Sequence, residues 1–406
     1  MSAAELDRDS VAALADDPVD WRFKGLPPTW AGHTPAQVCA EMPVLFDDEP
    51  TGPVCVLSAD ALTHNLTTMA DWCCEAGVKI APHGKTHMAP QLFARQFDAG
   101  ACGITVATIS QARVCRAFGV RDLILANELV DAGGLRWLAA ELDRDPELGF
   151  VCWVDSVRGV EAMAAALTGR PVDVCVEVGI PGGRTGCRTQ GAVDEVAQAV
   201  VDCPRLRLVG VAGYEAALGH DVSDDALATV AAFLREMRSA VERLQFETDD
   251  VVVTAGGSTY FDLVADILAG DWRTVIRSGA YVTHDHGVYE RTSPLTRGGK
   301  HGLRPAMTVW AQVSSIPEPG LALVTMGRRD VSFDQDLPVP LALPDSRVTR
   351  LNDQHTYIQL GSADRVDVGT WLEFGISHPC TVFDKWQLLP VLDGDGRVVE
   401  LVRTFF

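Results

Sequence analysis

Residues 79–127 read KIAPHGKTHMAPQLFARQFDAGACGITVATISQARVCRAFGVRDLILAN. Short β-rich apolar runs alternate here with amphipathic, helical patterns, the former at 79–82, 104–108 and 123–127 and the latter at 89–99 and 110–118. Alternation of strand and helix at this spacing is typical of parallel βαβ units. The stretch therefore predicts an α/β fold built on a parallel sheet.

The same alternation continues toward the C-terminus. Further apolar runs lie at 150–155, 172–178, 208–214, 251–255 and 274–278, with helical patterns at 159–167, 193–201 and 225–244. Together these runs make eight strands, which is the number in a (β/α)8 barrel. A doubly wound open sheet is the structural alternative, and we favour the barrel. One more strand-like run, 54–58, precedes the series.

The pattern changes after about residue 302, where helical periodicity stops. Pro and Gly interrupt short β-rich runs at 307–313, 321–326, 356–359, 371–374 and 398–405. This predicts a separate all-β domain, to which the segment 43–56 could contribute strands. We therefore expect a barrel over 54–302 and a β domain formed by 1–53 and 303–406.

Composition excludes several classes of protein. The 406 residues carry a formal net charge of −21, and a chain this acidic repels nucleic-acid phosphates. No run of 18 apolar residues is present, and the first residues are too polar for a signal peptide. The 11 scattered cysteines indicate buried thiols in a reducing compartment. We expect a cytoplasmic protein that binds neither nucleic acid nor membrane.

The end of the first barrel strand reads APHGKTH, residues 81–87. A phosphate-binding P-loop is excluded because Lys79 stands where its first glycine is needed, and a dinucleotide fingerprint because only Gly84 is present. The remaining candidate for chemistry is Lys85, which lies between two histidines at the C-terminal end of the strand. A crowded lysine loses its proton more readily and becomes a usable nucleophile. Spacing alone leaves a surface-loop lysine as the alternative.

The run APHGKTH, followed by GACGITVAT at 100–108 and LILANE at 123–128, resembles fold type III pyridoxal-phosphate enzymes. The most similar group is the D-serine dehydratase, D-threonine aldolase and amino-acid deaminase family. The resemblance extends from about residue 50 to the C-terminus. It implies an alanine-racemase-like barrel with a C-terminal β domain. It also implies that Lys85 carries pyridoxal phosphate as a Schiff base.

Further cofactor contacts follow from the same resemblance. Arg184, within GGRTG at 182–186, matches the family residue that contacts the phenolic oxygen of the cofactor. Tyr214 ends the sixth strand, where the family has a cofactor-contacting tyrosine. His220 lies six residues on, in a place where aldolase relatives carry a catalytic base for the substrate hydroxyl. A solvated loop histidine is the alternative for His220.

Two glycine-containing loops, TAGGST at 254–259 and SGAY at 278–281, follow the seventh and eighth strands. Loops in these positions are the usual phosphate site of a barrel, because backbone N–H groups there bind the anion. Either loop alone is also compatible with an ordinary turn. The resemblance assigns cofactor contacts to Thr254, Gly256, Gly257, Ser258, Gly279, Ala280 and Tyr281.

The predicted β domain contains FGISHPCTVFDKW at 374–386. His378 and Cys380 have a spacing that can place two ligands on one side of an extended segment, although such a pair alone is more often structural. The run resembles the bacterial amino-acid deaminase subgroup, and the family holds a divalent metal here. A thiolate ligand favours zinc. We assign His355 no ligand role and read Asp285 as structural.

These features predict a lyase that uses pyridoxal phosphate and a divalent metal on β-hydroxy D-amino acids. Lys85 would take the Cα proton, and dehydration would release a keto acid and ammonia. Retro-aldol cleavage to glycine and an aldehyde is the alternative, with His220 as base. An amino-acid racemase and a non-catalytic pyridoxal-phosphate carrier are weaker alternatives; the known small carriers lack a C-terminal β domain. Family enzymes are commonly homodimers, so we expect one here.

Overall fold

A computed structural model describes residues 6–297 and 302–406 of the chain. The strands, β1 to β17 in chain order, are Val54–Ser58, Lys79–Ile80, Ile104–Val106, Asp122–Glu128, Gly149–Val154, Val172–Val178, Leu206–Gly213, Val252–Ala255, Arg273–Ile276, Met307–Glu318, Leu321–Val324, Val339–Pro340, Arg347–Leu351, Thr356–Gln359, Trp371–Gly375, Leu388–Leu392 and Val398–Arg403. The helices, α1 to α13, are Arg8–Ala12, Pro35–Glu41, Ala59–Glu75, Pro90–Asp98, Ile109–Ala117, Ala132–Arg144, Val157–Ala166, Gln190–Val201, Asp224–Arg243, Phe261–Leu268, Val288–Thr292, Pro294–Arg297 and Cys380–Phe383. Short 3-10 turns cover Ala13–Asp16, Pro28–Trp30, Gly84–Thr86, Glu215–Leu218 and Ala280–Val282.

The described residues form two compact units. The first unit contains residues 6–7, 70–85 and 96–279, and the second contains 8–69, 86–95, 280–297 and 302–406. The expected domain segments also include residues 1–5 and 298–301, which lie outside the described residues. Each unit has its own sheet.

The first unit is a parallel barrel. Strands β2 to β9 lie in the order β2-β9-β8-β7-β6-β5-β4-β3. The gap between β2 and β3 is bridged by His83 and Thr105, and the Thr105 hydroxyl donates to the carbonyl of Ala81 at 2.6 Å. The predicted (β/α)8 barrel is thereby confirmed, and the open-sheet alternative is wrong.

Local sequence explains how the barrel forms. Side chains of Thr108, Ser156, Thr189 and Ser223 each accept a backbone N–H at the start of the following helix. Such caps satisfy amides that a helix start leaves unpaired. Between β7 and β8, a Cβ on Gly210 would lie 1.8 Å from the carbonyl oxygen of Val252, so only glycine fits there.

The second unit is built on a nine-stranded sheet. Its main order is β13-β14-β11-β10-β1-β16-β17, with β15 pairing with β10 and β12. Strand β1, the run at 54–58 that precedes the barrel series, pairs antiparallel with β10 and parallel with β16. Val19, Phe23 and Trp30 pack in one core with Leu388 and Leu401. The predicted C-terminal all-β domain is confirmed. Residues from the N-terminal region complete its hydrophobic core.

Two expectations from composition concern the whole chain. All 11 cysteines are free thiols, and seven of them are buried. Burial raises the pKa of the Cys152 and Cys175 thiols, so these groups stay protonated and apolar. Among the described residues, no helix has both the length and the apolar character that crossing a membrane requires.

Candidate active site

Lys85 lies in the 3-10 turn that follows β2 at the C-terminal end of the barrel strands. Its side chain is exposed, whereas neighbouring Gly84 is buried. The preceding backbone is fixed, because the His83 N–H donates to the carbonyl of Arg277 after β9 at 3.2 Å. The turn thus presents an amine on a backbone that the barrel itself holds.

His83 provides a neutral group beside this amine. Burial of the ring, together with the charges of Lys85 and Arg277, holds its pKa well below the usual range for histidine. Its Nδ1 atom has no hydrogen-bond partner among the described residues. His83 is therefore a neutral imidazole whose buried Nδ1, next to the lysine, lacks a partner in the described part of the chain.

Arg184 and Tyr214 come together although they lie 30 positions apart in the chain. The guanidinium carbon of Arg184 is 4.7 Å from the ring centroid of Tyr214, a favourable cation–π contact. Arg188 fixes the loop by donating to the carbonyls of Gly183 at 3.0 Å and Thr185 at 2.6 Å. The loop after β6 is therefore held so that its arginine covers the tyrosine after β7.

His220 is half-buried and hydrogen-bonded. Its Nδ1 lies 2.8 Å from the hydroxyl oxygen of Thr259, which is fully buried. The hydroxyl of Tyr260 donates to the carbonyl of Asp221 at 2.7 Å, so the two loops are joined at a second point. This arrangement orients one ring nitrogen of His220 and ties it to the loop after β8.

The loop after β8 binds an anion that the protein itself supplies. Backbone N–H groups of Gly256 and Gly257 donate to the carboxylate of Glu215, at 2.8 and 2.6 Å. Glu215 is fully buried, and the Ser278 hydroxyl donates to the carbonyl of Gly257 at 2.8 Å. A Cβ on Gly257 would lie 3.2 Å from the Cβ of Ala216. The loop is thus an anion-binding cup whose first two donors are already bonded to a carboxylate.

The remaining predicted phosphate contacts divide between the units. Thr254 and Gly279 belong to the barrel, where the Thr254 hydroxyl accepts from Arg277 at 2.6 Å. Ala280 and Tyr281 belong to the second unit, in a buried 3-10 turn. Thr254 lies within β8, whereas Gly279, Ala280 and Tyr281 follow β9 in the sequence.

Sequence reasoning missed Arg277. This arginine is buried, donates to the carbonyl of Gly213 at 2.8 Å, and stacks 5.5 Å from the ring centroid of Trp153. Burial lowers its pKa. The sequence feature that could have indicated Arg277 is a cationic residue near the end of the apolar run 274–278, just before the glycine-containing loop.

Two carboxylates at the ends of β4 and β6 were also missed. Burial, and then the neighbouring charge of Glu177, raise the pKa of Glu128 to about 8. Glu177 is buried, and its Oε2 has no partner among the described residues. Glu128 therefore holds its proton to a higher pH than an exposed glutamate does. The sequence feature that could have indicated the pair is a glutamate at the last position of β4 and at the next-to-last position of β6.

In the second unit, His378 and Cys380 flank Pro379 at the start of α13. The Cys380 sulfur lies 3.4 Å from the hydroxyl of Thr86. Burial lowers the pKa of His378, but hydrogen bonds and charge from Cys380 and Asp334 outweigh burial and raise it to about 9. Over residues 6–297 and 302–406, no group of three or more His, Cys, Asp or Glu side chains is arranged to hold a metal ion.

Two further predicted positions can be located. Asp285 is fully buried and accepts backbone N–H groups of Gly287 and Tyr289, at 3.0 and 2.9 Å. It also accepts the backbone N–H of His378 at 2.8 Å, which connects it to the histidine-cysteine pair. His355 is exposed in the turn between β13 and β14.

Two protein-family models match the chain. Residues 57–285 match the model described as "Alanine racemase, N-terminal domain". Residues 306–392 match the one described as "Putative serine dehydratase domain". The first match covers more than half of the chain and the barrel strands β2 to β9.

Characterised proteins with similar sequences span nearly the same length. D-threonine aldolase of Arthrobacter sp is 27% identical over 358 residues, covering 86% of this chain and 90% of that protein. D-threo-3-hydroxyaspartate dehydratase of Delftia sp. (strain HT23) is 26% identical over 380 residues, covering 85% and 95%. The crystal structure of D-threonine aldolase from Filomicrobium marinum has a TM-score of 0.77 at 26% identity, covering 95% and 98%.

Proposed function

Because the chain belongs to the alanine-racemase-like family of fold type III pyridoxal-phosphate enzymes, we propose that it is a lyase acting on β-hydroxy D-amino acids. The observation that carries this proposal is the combination of an exposed lysine at the barrel mouth with a histidine-cysteine pair in the second unit. Similar proteins include both an aldolase and a dehydratase of such substrates.

The barrel mouth has the chemistry that pyridoxal phosphate requires. Lys85 offers an exposed amine, and His83 beside it has an unpartnered ring nitrogen. The amides of Gly256 and Gly257 donate to the buried Glu215 carboxylate, so these two glycines offer no open donors to a cofactor phosphate. The barrel residues that would hold the cofactor are therefore Lys85, Arg184, Tyr214, Thr254, Ser258 and Gly279.

The residues at the barrel mouth divide the chemical tasks among them. Pyridoxal phosphate, when bound, supplies an electron sink for negative charge that develops at the substrate Cα. The Lys85 amine takes the Cα proton at its Nζ. Arg184 covers Tyr214 and holds a positive charge at the mouth of β6 and β7. Buried Arg277, donating to Thr254, keeps a second positive charge inside the barrel.

The pair in the second unit fits a soft divalent cation. Imidazole and thiolate together favour zinc over magnesium or manganese. A catalytic zinc normally has three protein ligands and an open position, whereas His378 and Cys380 supply two. Water or substrate oxygens would complete the shell. A zinc ion would supply a Lewis acid for the substrate β-hydroxyl.

We favour dehydration to a keto acid and ammonia, because Cys380 in the pair resembles the zinc-dependent D-serine dehydratase branch. Retro-aldol cleavage is the second candidate, and a specific observation favours it: His220 is oriented by Thr259 and can act as a base for a hydroxyl. We further propose that the protein is a cytoplasmic homodimer.

Product analysis tests the proposal. The protein, loaded with pyridoxal phosphate and zinc, is incubated with D-serine, D-threonine and D-3-hydroxyaspartate, and the products are identified by mass. We expect ammonia with pyruvate, 2-oxobutyrate or oxaloacetate. Glycine with an aldehyde would establish the aldolase instead, and an L-amino acid as sole product would establish a racemase.

A further inference from the structure

His378 is held at two points by different carboxylates of its own unit. Its ring Nδ1 lies 2.6 Å from Oδ2 of Asp334, and its backbone N–H donates to Oδ2 of Asp285 at 2.8 Å. The residue has a φ of 60°, in the left-handed region that residues other than glycine adopt only uncommonly. Both contacts therefore hold a conformation that the backbone alone would not favour.

The ring contact decides which nitrogen faces a ligand. A carboxylate at Nδ1 keeps a proton on that nitrogen, so Nε2 is the nitrogen that can offer its lone pair to a metal. Histidines that bind metals almost always donate their other ring N–H to a carboxylate, a carbonyl or water, which fixes the tautomer and the ring orientation. Asp334 is the carboxylate that accepts the hydrogen bond from the other ring nitrogen of His378.

Each oxygen of Asp334 already accepts a hydrogen bond from the segment that carries the pair. Its Oδ1 accepts the hydroxyl of Thr381 at 2.9 Å, and its Oδ2 is engaged by His378. Thr381 directly follows Cys380, so the same carboxylate also fixes the backbone on the other side of the pair. Asp334 thus contacts residues at both ends of the segment from His378 to Thr381.

We propose that Asp334 is a positioning residue that presents Nε2 of His378 to a divalent metal, with Asp285 fixing the histidine backbone. This inference rests on the proposed function, because it assumes that His378 and Cys380 bind the metal. It extends that function by naming the groups that make a two-ligand site strong enough to retain zinc.

Asp285 acts by a different route from Asp334. Its Oδ1 accepts three N–H groups at the start of α11, from Gly287, Tyr289 and Glu290, at 2.9 to 3.2 Å. Only its Oδ2 is used for His378. Replacing Asp285 would therefore also loosen α11, which makes Asp334 the cleaner residue to change.

The test measures zinc affinity of the full-length protein by competition with a chromophoric chelator. Asp334→Asn keeps the shape but weakens the acceptor, and removal of such a partner typically costs about 10–100-fold in metal affinity. Asp384→Asn is the matched control, because it removes the same charge from an exposed carboxylate that pairs with Lys385. We expect the control to bind zinc as the wild type does.

A second readout separates positioning from direct ligation. With cobalt(II) at saturating concentration, the thiolate charge-transfer band and the ligand-field spectrum of Asp334→Asn should equal those of the wild type. Asp334→Ala should show the same spectrum with a weaker affinity, and unchanged thermal unfolding without metal would exclude misfolding as the cause.

The outcomes are distinguishable. Zinc affinity of Asp334→Asn within about threefold of the wild type, far below the expected loss, overturns this inference alone. A changed cobalt spectrum at saturation overturns it too, because Asp334 would then be a ligand. A wild-type protein without zinc affinity overturns the proposed metal and this inference together.

Discussion

The barrel and the second unit build their candidate sites in opposite ways. In the barrel, functional side chains come from the ends of at least four strands, spread between Lys85 and Ser278. In the second unit, His378 and Cys380 lie within three residues, and two carboxylates hydrogen-bond to His378. A site spread over many strand ends depends on the whole sheet, whereas a local pair depends on a few contacts. Single substitutions should therefore separate the two functions.

The largest expected effect follows from removing the metal pair. His378→Ala and Cys380→Ala should each abolish turnover of a β-hydroxy D-amino acid while leaving the yellow colour of bound pyridoxal phosphate, because Lys85 belongs to the other unit. A chelator should have the same effect, and zinc should restore the wild type only. Absorbance and product formation are measured on the same samples. Full turnover by metal-stripped protein would make the pair structural and favour the racemase.

The second effect compares the two lyase reactions. If dehydration is correct, His220→Ala should change the rate only severalfold, because the metal rather than a base acts on the hydroxyl oxygen. If cleavage is correct, losing this base should cost about 10²–10⁴-fold. The rates are measured with D-threonine, and Thr259→Val serves as a variant that removes the hydroxyl 2.8 Å from Nδ1 of His220 while keeping the histidine.

The smallest effect concerns stability of the barrel. The pKa of Glu128 is raised from 4.5 to about 8 in the folded protein. Between these two pH values, Glu128 is protonated in the folded protein and ionised in the unfolded chain. Its contribution to stability is present below that window and is lost as the pH rises through it. Glu128→Gln should thus stabilise the barrel at pH 9, on the order of 1–2 kcal/mol for this partly exposed group, and not at pH 4.

Thermal unfolding at the two pH values measures this difference. Exposed Glu147→Gln is the control, and it should shift the unfolding temperature equally little at both. An equal stabilisation by Glu128→Gln at pH 4 and pH 9 would show that the pKa of Glu128 is not raised in the folded protein.

The barrel was predictable because its signal is repeated. Eight apolar strands alternate with helices, and parallel strands covered on both faces read as nearly continuous hydrophobic runs, as in β6, where six of seven residues are buried. The second sheet was harder. Strand β12 has two residues, β13 reads RVTRL and breaks the polar–apolar alternation at Thr349 and Arg350, and β16 contains Pro390. These three strands therefore gave no clear strand signal.

The candidate site was predictable only where a residue belongs to a motif. Glu215 and Asp334 escaped because their roles arise from tertiary contacts with residues 41 and 44 positions away. Arg277 escaped because a charge at the end of an apolar strand is commonly a solvated one. Local pattern identifies groups that act on a ligand, whereas the groups that hold them in place appear only in the folded chain.

The most direct test of the account is the position of the covalent link to the cofactor. The purified protein is incubated with pyridoxal phosphate, reduced with borohydride, digested and mapped by mass spectrometry, with Lys79→Ala and Lys85→Ala as parallel samples. We expect a phosphopyridoxyl group on Lys85 in the wild type and in Lys79→Ala, and none in Lys85→Ala. A label on Lys79, or a Lys85→Ala protein that still becomes labelled and active, would contradict the proposed active site.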